Sequence, residues 1–147
     1  MADFSQAVSN IESAGTANGK EDYEQKMQAW QKSVYDKDSG YGNGKPLWAM
    51  NNADISSWQK MTLPTTWENA SLPNFDGVVW FHKKIMIPAS WAGKDIKVTL
   101  GPIDDIDITW FNGEKIGETE GYTEPRVYTI AGKSVKEGEN ETGSKGI

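Results

Sequence analysis

The feature that most constrains the fold is a series of short apolar segments separated by turn residues, which begins after Pro46. The pattern predicts strands at Val78–Ile87, Ile96–Leu100, Ile106–Trp110, Glu114–Gly117 and Arg126–Ile130, and a further one at Trp58–Leu63. Asn112-Gly113 favours a type I′ hairpin turn, because both residues tolerate positive φ. Strands that recur every 10–15 residues or so without intervening helices indicate an antiparallel β-sandwich.

Val78–Ile87 is the longest of the predicted strands, and both of its faces are largely apolar. Alternate residues of a strand point to opposite sides of the sheet. Apolar residues on both sides therefore indicate a central strand that is covered on two faces. The odd-numbered set, which includes Phe81, Ile85 and Ile87, is the more continuous and is predicted to face the sandwich core.

The N-terminal part of the chain has a different pattern. Residues Glu21–Asp36 predict an amphipathic helix whose stripe is Tyr23, Met27, Trp30 and Val34. This stripe either docks on a neighbouring part of the same polypeptide, which we favour, or binds a partner. A short helix around Asp3–Ser13 is also compatible with the spacing of apolar residues. We therefore divide the chain into a helical segment with a linker, residues 1–45, and a β-sandwich, residues 46–147.

Composition excludes several classes of function. The net charge of −6 makes nucleic acid an unsuitable partner, because an acidic surface repels phosphates. No apolar run is long enough to span a bilayer, and the N-terminus does not resemble a signal peptide. Cysteine is absent. The seven tryptophans either stack on sugars or fill the core, and for any single one we favour the core.

The sequence contains no recognisable set of catalytic residues. His82 is the only histidine and lies in the middle of a predicted strand, where an ordinary strand role is favoured over that of a catalytic base. Asp104, Asp105 and Asp107 cluster before and within a strand. For them we favour turn capping over ligand contact, and ligand contact over catalysis. The stretch Gly40-Tyr-Gly-Asn-Gly44 follows a helix and so lacks the context of a phosphate-binding loop. No cofactor is expected.

A constellation of motifs runs from Trp58 to Gly138. It reads Trp58-Gln-Lys-Met-Thr-Leu-Pro64, Trp67-Glu68, Leu72-Pro-Asn-Phe-Asp-Gly-Val-Val-Trp-Phe81, Ile87-Pro88, Trp91-Ala-Gly-Lys94, Leu100-Gly-Pro-Ile-Asp-Asp-Ile-Asp107, Asn112-Gly113, Ile116-Gly117, Gly121-Tyr122, Pro125-Arg126, Tyr128 and Lys136-Glu-Gly-Glu-Asn140. This segment resembles the inserted jelly-roll domain of sialate O-acetylesterase-like proteins. It is also similar to the sugar-binding domain of family 2 glycoside hydrolases, and the run Leu100–Asp107 favours the esterase family.

The resemblance implies a mainly β, galactose-binding-like antiparallel sandwich (a jelly roll) with an N-terminal helical segment. It implies a non-catalytic module that packs on the catalytic domain of a carbohydrate O-acetylesterase, with acetylated glycans as candidate ligands. The parent would be periplasmic or secreted. The Gly-Asp-Ser and Asp-x-x-His motifs of that catalytic domain do not occur here. An autonomous carbohydrate-binding module is the alternative, and a catalytic fragment or a protein-interaction domain are the remaining hypotheses.

Two departures from the family pattern stand out. His82 occupies a position where family members carry arginine, which puts any salt bridge there in doubt. The family also continues after Gly138-Glu-Asn140 with an apolar strand, whereas this chain continues with Glu-Thr-Gly-Ser-Lys-Gly-Ile147. The sandwich is therefore expected to lack its last strand. A missing strand leaves an open sheet edge, through which the domain is predicted to self-associate.

By resemblance, sugar sites in this fold lie in loops at one end of the sandwich. The candidate loops carry Asp76, Asp104, Asp105, Tyr122 and Arg126. Carboxylates and arginine bind hydroxyls, and tyrosine stacks on the sugar ring. For Asp76 and Arg126 we favour a structural role, in which they hold loops together by hydrogen bonds. No metal ligand is expected among these residues.

Overall fold

The structure is a computed structural model that describes residues 17–65, 69, 72–73, 75, 77–103 and 105–147. The predicted helix around Asp3–Ser13 lies outside these residues. The chain divides into two compact units, one that ends at Asp38 and one that comprises Ser39–Ile147. No helix among the described residues is both long and apolar enough to cross a membrane.

The described part of the first unit contains one helix, α1, which comprises Ala17–Asp36. Its interior is rich in Glu, Gln, Lys, Ala and Met, which are strong helix formers. The helix begins four residues before its predicted start, so no acidic side chain lies in its first turn. Lys26 and Lys32 each lie 2.6 Å from an aspartate four residues away on exposed faces. Such pairs contribute only a few tenths of a kcal/mol.

The second unit is a mainly β structure with two antiparallel sheets, as the sequence predicted. The strands are β1 (Val79–Ile87), β2 (Ile96–Pro102), β3 (Ile106–Phe111), β4 (Glu114–Glu120), β5 (Pro125–Ile130) and β6 (Gly138–Gly146). One sheet has the order β1-β6-β3-β4, and the other pairs β2 with β5. Short 3₁₀ helices at Leu47–Ala49, Ala89–Trp91 and Gly132–Ser134 lie in the connections.

The core between the sheets is apolar at one end. Its buried residues are Ile87, Phe111, Ile130 and Val135, and Ile85, Ile96, Val98 and Ile116 pack against them. Contributions come from both sheets, which is the arrangement of a sandwich. The odd-numbered residues Ile85 and Ile87 face this core, as predicted from the alternation in β1.

The opposite face of the four-stranded sheet is covered by the segment Ser39–Trp58. Trp80 and Trp110 stack there with ring centroids 5.2 Å apart. Trp48 lies edge-on to Trp80, and Trp58 lies edge-on to Trp48. We call this cluster the aromatic layer; its residues are Trp48, Trp58, Trp80 and Trp110. Trp80 and Trp110 are buried, and Trp48 and Trp58 are partly buried against them, so these four rings pack in the structure as the favoured interpretation of the tryptophan content required.

The segment that contains Trp58–Leu63 forms no strand, contrary to the sequence prediction. Trp58 is attached through its side chain, since its ring contacts Trp48 and His82. Alternation of apolar residues predicts a strand only when a neighbouring edge supplies backbone partners. Here the indole, rather than a ladder of backbone hydrogen bonds, holds the segment on the sheet.

The structure places a strand, β6, where the sequence analysis expected that one was missing. Its sequence, GENETGSKG, has low β propensity. It nevertheless lies between β1 and β3, pairing with β1 along its whole length and with β3 over Thr142–Gly146. Its side chains also have partners, since Thr142 Oγ1 donates to the carbonyl of Trp110 at 2.9 Å and Ser144 bonds to Thr109. Backbone pairing on both sides thus replaces the apolar side chains that the prediction required.

Candidate functional site

The loop between β4 and β5 carries the exposed aromatic side chain of the predicted site. Tyr122 is 68% exposed. The loop is tied to the β2–β3 connection, because the Gly121 amide donates to the carbonyl of Asp105 at 2.6 Å. Asp105 has a positive φ of 51°, which Asp tolerates better than most residues, and its side chain is exposed. Two of the predicted site residues thus lie on connected loops at one end of the sandwich.

Arg126 holds these loops from below. Its side chain is fully buried, and its Nε donates to Asp107 Oδ1 at 2.6 Å. Its two Nη atoms donate to backbone carbonyls of Gly121, Glu124, Asp105 and Thr119. A guanidinium has five N–H donors, and these bonds use them within the domain. The structural interpretation of Arg126 is therefore favoured, and its guanidinium does not face a ligand.

Asp107 is the centre of a buried polar network at this end of the sandwich. Besides Arg126, its carboxylate accepts hydrogen bonds from the Tyr128 hydroxyl at 2.9 Å and from Thr109 Oγ1 at 3.0 Å. Tyr128 also bonds to Thr119 at 2.8 Å. The network joins β3, β4 and β5 across the two sheets, so it fixes the strands from which the loops emerge.

Burial gives Tyr128 an unusual titration. Desolvation raises the pKa of its hydroxyl to about 12, and the neighbouring Asp107 carboxylate adds to the shift because it disfavours a phenolate. An unfolded tyrosine titrates near pH 10 or so. The stabilising contribution of the protonated hydroxyl is therefore complete below that pH and is lost as the pH rises through about 12.

We expect Tyr128→Phe to flatten the alkaline loss of stability, because phenylalanine has no proton to lose. The measurement is the free energy of unfolding in urea at several pH values between the unfolded pKa near 10 and the folded pKa of about 12. The control is Tyr122→Phe, which removes a hydroxyl outside the Asp107 network, so the alkaline loss of stability that Tyr128 causes should persist. Equal slopes for the unmodified protein and Tyr128→Phe would contradict the role assigned to Tyr128.

The structure describes three of the five predicted site residues. It brings Asp105 and Tyr122 together at the surface and places Arg126 beneath them. Asp76 and Asp104 lie outside the described residues. Sequence reasoning named Asp107 only as a member of the aspartate cluster, although it is fully buried. Its position between Ile106 and Ile108 gave no signal of burial, since alternation with two apolar residues predicts a solvent-facing side chain.

His82 has a structural role on the face of the aromatic layer. Its Nδ1 lies 3.0 Å from the carbonyl of Trp48, and its Nε2 lies 3.0 Å from Glu141 Oε2. Because a carbonyl only accepts, Nδ1 is the donor to Trp48. The side chain is 1% exposed. Histidine therefore contacts a carboxylate at the position where the sequence put a salt bridge in doubt, and burial keeps its imidazole away from any substrate.

Two further features bear on ligand binding. A cavity of about 150 Å³ lies at the opposite ends of β4 and β5, where Phe111, Glu114 and Ile130 are among its lining residues. Pockets for small molecules usually exceed about 300 Å³. Within the part of the chain that the structure describes, no cluster of three or more His, Cys, Asp or Glu residues is arranged to hold a metal ion. The surface loops around Tyr122 are therefore the better candidate site.

Comparison with known proteins identifies structural neighbours. No family model matches the sequence. A glycosyl hydrolase family 2 member from Bacteroides cellulosilyticus superposes with a TM-score of 0.58 at 22% identity over 66% of this chain and 15% of that chain. A β-glucuronidase from Bacteroides uniformis gives a TM-score of 0.59 at 21% identity over 73% of this chain and 13% of that chain.

These likenesses establish a shared fold. The chain spans only about a seventh of the length of these two glycoside hydrolases, at 15% and 13%. Their fold is consistent with the predicted antiparallel β-sandwich. At this identity they show the fold alone, and they give no support to the resemblance to sialate O-acetylesterases.

Proposed function

We propose that this chain is a carbohydrate-binding β-sandwich domain of a longer glycan-active protein, and that it binds sugar through the loops around Tyr122. The proposal follows the alternative of the sequence analysis, an autonomous sugar-binding module, rather than a structural insert of an esterase. Partners in this view are a glycan and a catalytic domain elsewhere in the parent protein. Location outside the cytoplasm, in the periplasm or secreted, belongs to the same proposal.

The observation that carries the proposal is an exposed aromatic ring on a loop that is held in place. Tyr122 is 68% exposed, while the loop that carries it is bonded to the buried Arg126 and to the backbone of Asp105. A ring on a preorganised loop loses little conformational entropy when it binds a ligand. The C–H face of a pyranose packs on such a ring, and the neighbouring Asp105 carboxylate accepts hydrogen bonds from sugar hydroxyls.

Titration of the protein with cellohexaose and with acetylated xylohexaose tests the proposal. We expect amide chemical shifts in the loop from Gly121 to Glu124 to move with at least one of these glycans. Tyr122→Ala should weaken binding about fivefold or more, because it removes the stacking surface. Tyr122→Phe should keep most of the affinity, since the ring remains.

Tyr23→Ala is the matched control, because Tyr23 is 62% exposed but lies on helix α1. It should leave binding unchanged. Equal affinities for Tyr122→Ala and the unmodified protein would show that the loop is not the sugar site. Absence of any shift at about 10 mM of either glycan, a concentration above that of weak single-site binding, would reject sugar binding by this domain.

A further inference from the structure

A second exposed aromatic ring lies on the other side of the four-stranded sheet, in the motif Gly40–Gly44. Gly42 and Lys45 pair as a two-residue hairpin, with backbone hydrogen bonds of 3.0 and 2.9 Å. Asn43 and Gly44 have φ values of 52° and 71°, as a type I′ turn requires. The motif that the sequence analysis separated from phosphate-binding loops is thus a small rigid hairpin.

Close packing at Gly40 holds the hairpin against the four-stranded sheet. A Cβ atom at this position would lie 2.5 Å from the Trp80 ring and 2.6 Å from the Trp48 ring. The Gly40 carbonyl also accepts a hydrogen bond from the Trp48 amide at 3.2 Å. The hairpin is therefore attached to the aromatic layer at its base and has little freedom to move away from it.

Tyr41 presents one face of its ring to a buried cation. The Lys145 Nζ lies 5.1 Å from the centre of the Tyr41 ring and 5.5 Å from that of Trp80. Both distances are within the range of cation–π attraction. Lys145 is 3% exposed, whereas Tyr41 is 44% exposed. With its inner face on the ammonium, the ring offers its outer face to solvent.

We propose that Tyr41 is a second carbohydrate-binding position, which takes a single pyranose ring of a glycan against its outer face. The inference rests on the proposed carbohydrate-binding function and adds a site that is separate from the Tyr122 loop. The Lys145 ammonium attracts the inner face of the tyrosine ring and restrains it, so the stacking surface exists before the sugar arrives. The exposed polar side chains of Asn43 and Lys45 stand on the same hairpin and supply hydrogen-bond donors for sugar hydroxyls.

The test uses the same two glycans, cellohexaose and acetylated xylohexaose, and follows the amides of Gly42–Gly44 separately from those of Gly121–Glu124. We expect both sets to shift with at least one glycan. Tyr41→Ala should weaken the binding reported by the Gly42–Gly44 amides about fivefold or more and leave the second set unchanged. Tyr41→Phe should bind within about twofold of the unmodified protein, because the ring face is kept.

Leu47→Ala is the matched control, since Leu47 is 45% exposed, lies in the same covering segment and has no ring. It should leave binding unchanged. Thermal melting of Tyr41→Ala and Tyr41→Phe shows whether the fold around Lys145 persists. If Tyr41→Ala unfolds, the affinities of Tyr41→Phe and Leu47→Ala still test the inference. A weakening of about fivefold on Leu47→Ala, which is the loss expected for a missing ring, would assign binding to apolar surface and overturn the inference.

The outcomes separate this inference from the proposed function. Shifts confined to Gly121–Glu124 would overturn the Tyr41 site and leave the Tyr122 site standing. Shifts confined to Gly42–Gly44 that Tyr41→Ala weakens would support the Tyr41 site and reject the loop site. Equal weakening by Tyr41→Phe and Tyr41→Ala would reject stacking, and absence of both sets of shifts would overturn both proposals.

Discussion

Arg126→Ala is expected to destabilise the β-sandwich by about 3–5 kcal/mol, the range seen when one partner of a buried ion pair is removed. Both Arg126 and Asp107 are fully buried, and they approach to 2.6 Å. The substitution leaves the Asp107 carboxylate without its cation and frees the backbone carbonyls that the guanidinium holds. Because small domains are stable by only about 5–15 kcal/mol, a large part of the folding free energy should be lost. Urea unfolding followed by tryptophan fluorescence measures it.

Two companion variants separate the contribution of the Arg126 charge to stability from that of its planar guanidinium geometry. Arg126→Lys keeps a cation but loses the planar fork, so we expect an intermediate cost. The double variant Arg126→Leu with Asp107→Leu removes both charges, and it should recover part of the stability, since a buried pair is often replaceable by apolar side chains. A cost below about 1 kcal/mol for Arg126→Ala would show that the pair behaves like a surface pair and does not hold the loops.

Gly117→Ala is expected to cost about 3 kcal/mol, the upper end of the usual range for overpacking in a core. A Cβ at this position would lie 2.1 Å from Cδ1 and 2.2 Å from Cε1 of Tyr128. The ring cannot easily yield, because its hydroxyl is bonded to Asp107 and to Thr119. The added methyl group must therefore displace the ring from the network or move β4 from β3. The measurement is the midpoint of unfolding in urea. The slope of the unfolding transition should be the same in both proteins, so that the change in midpoint reports stability alone.

The same substitution in a Tyr128→Ala background is the control for this second prediction. Tyr128→Ala removes the ring atoms that the new methyl group would contact. Gly117→Ala should then cost much less, and the double-mutant cycle should give a coupling of about 2 kcal/mol or more. Equal costs in both backgrounds would mean that the loss arises from the backbone of β4 and not from contact with Tyr128.

Much of the sandwich could be predicted from local patterns. Alternation located β1, β2, β3 and β5, and Asn112-Gly113 located the turn before β4, because period-two alternation and turn chemistry are properties of short segments. The two failures, Trp58–Leu63 and β6, have one cause. A strand forms where neighbouring edges supply backbone partners, and those neighbours are far away in the sequence. The polar segment Gly138–Gly146 lies between two such edges, whereas Trp58 packs on the face of the sheet through its side chain.

The candidate site was predictable only in part. Sequence reasoning selected Asp105, Tyr122 and Arg126 because they lie in turns between strands. Which of them faces solvent depends on the packing of the two sheets, and Arg126 lies at the start of β5, where alternation turns it inward to Asp107. The Tyr41 position was not selected, because its ring is fixed by Lys145, which follows it by more than a hundred residues.

The sequence by itself determined the class of this protein: a helix followed by antiparallel strands, with the apolar face of β1 directed to the core. These properties depend on residues a few positions apart, so short segments encode them. Only the tertiary structure decided which polar segment completes the four-stranded sheet, which charged residues are buried and which aromatic rings remain at the surface. Those outcomes depend on contacts between distant segments, whose strength is set by burial and by backbone pairing that no local pattern records.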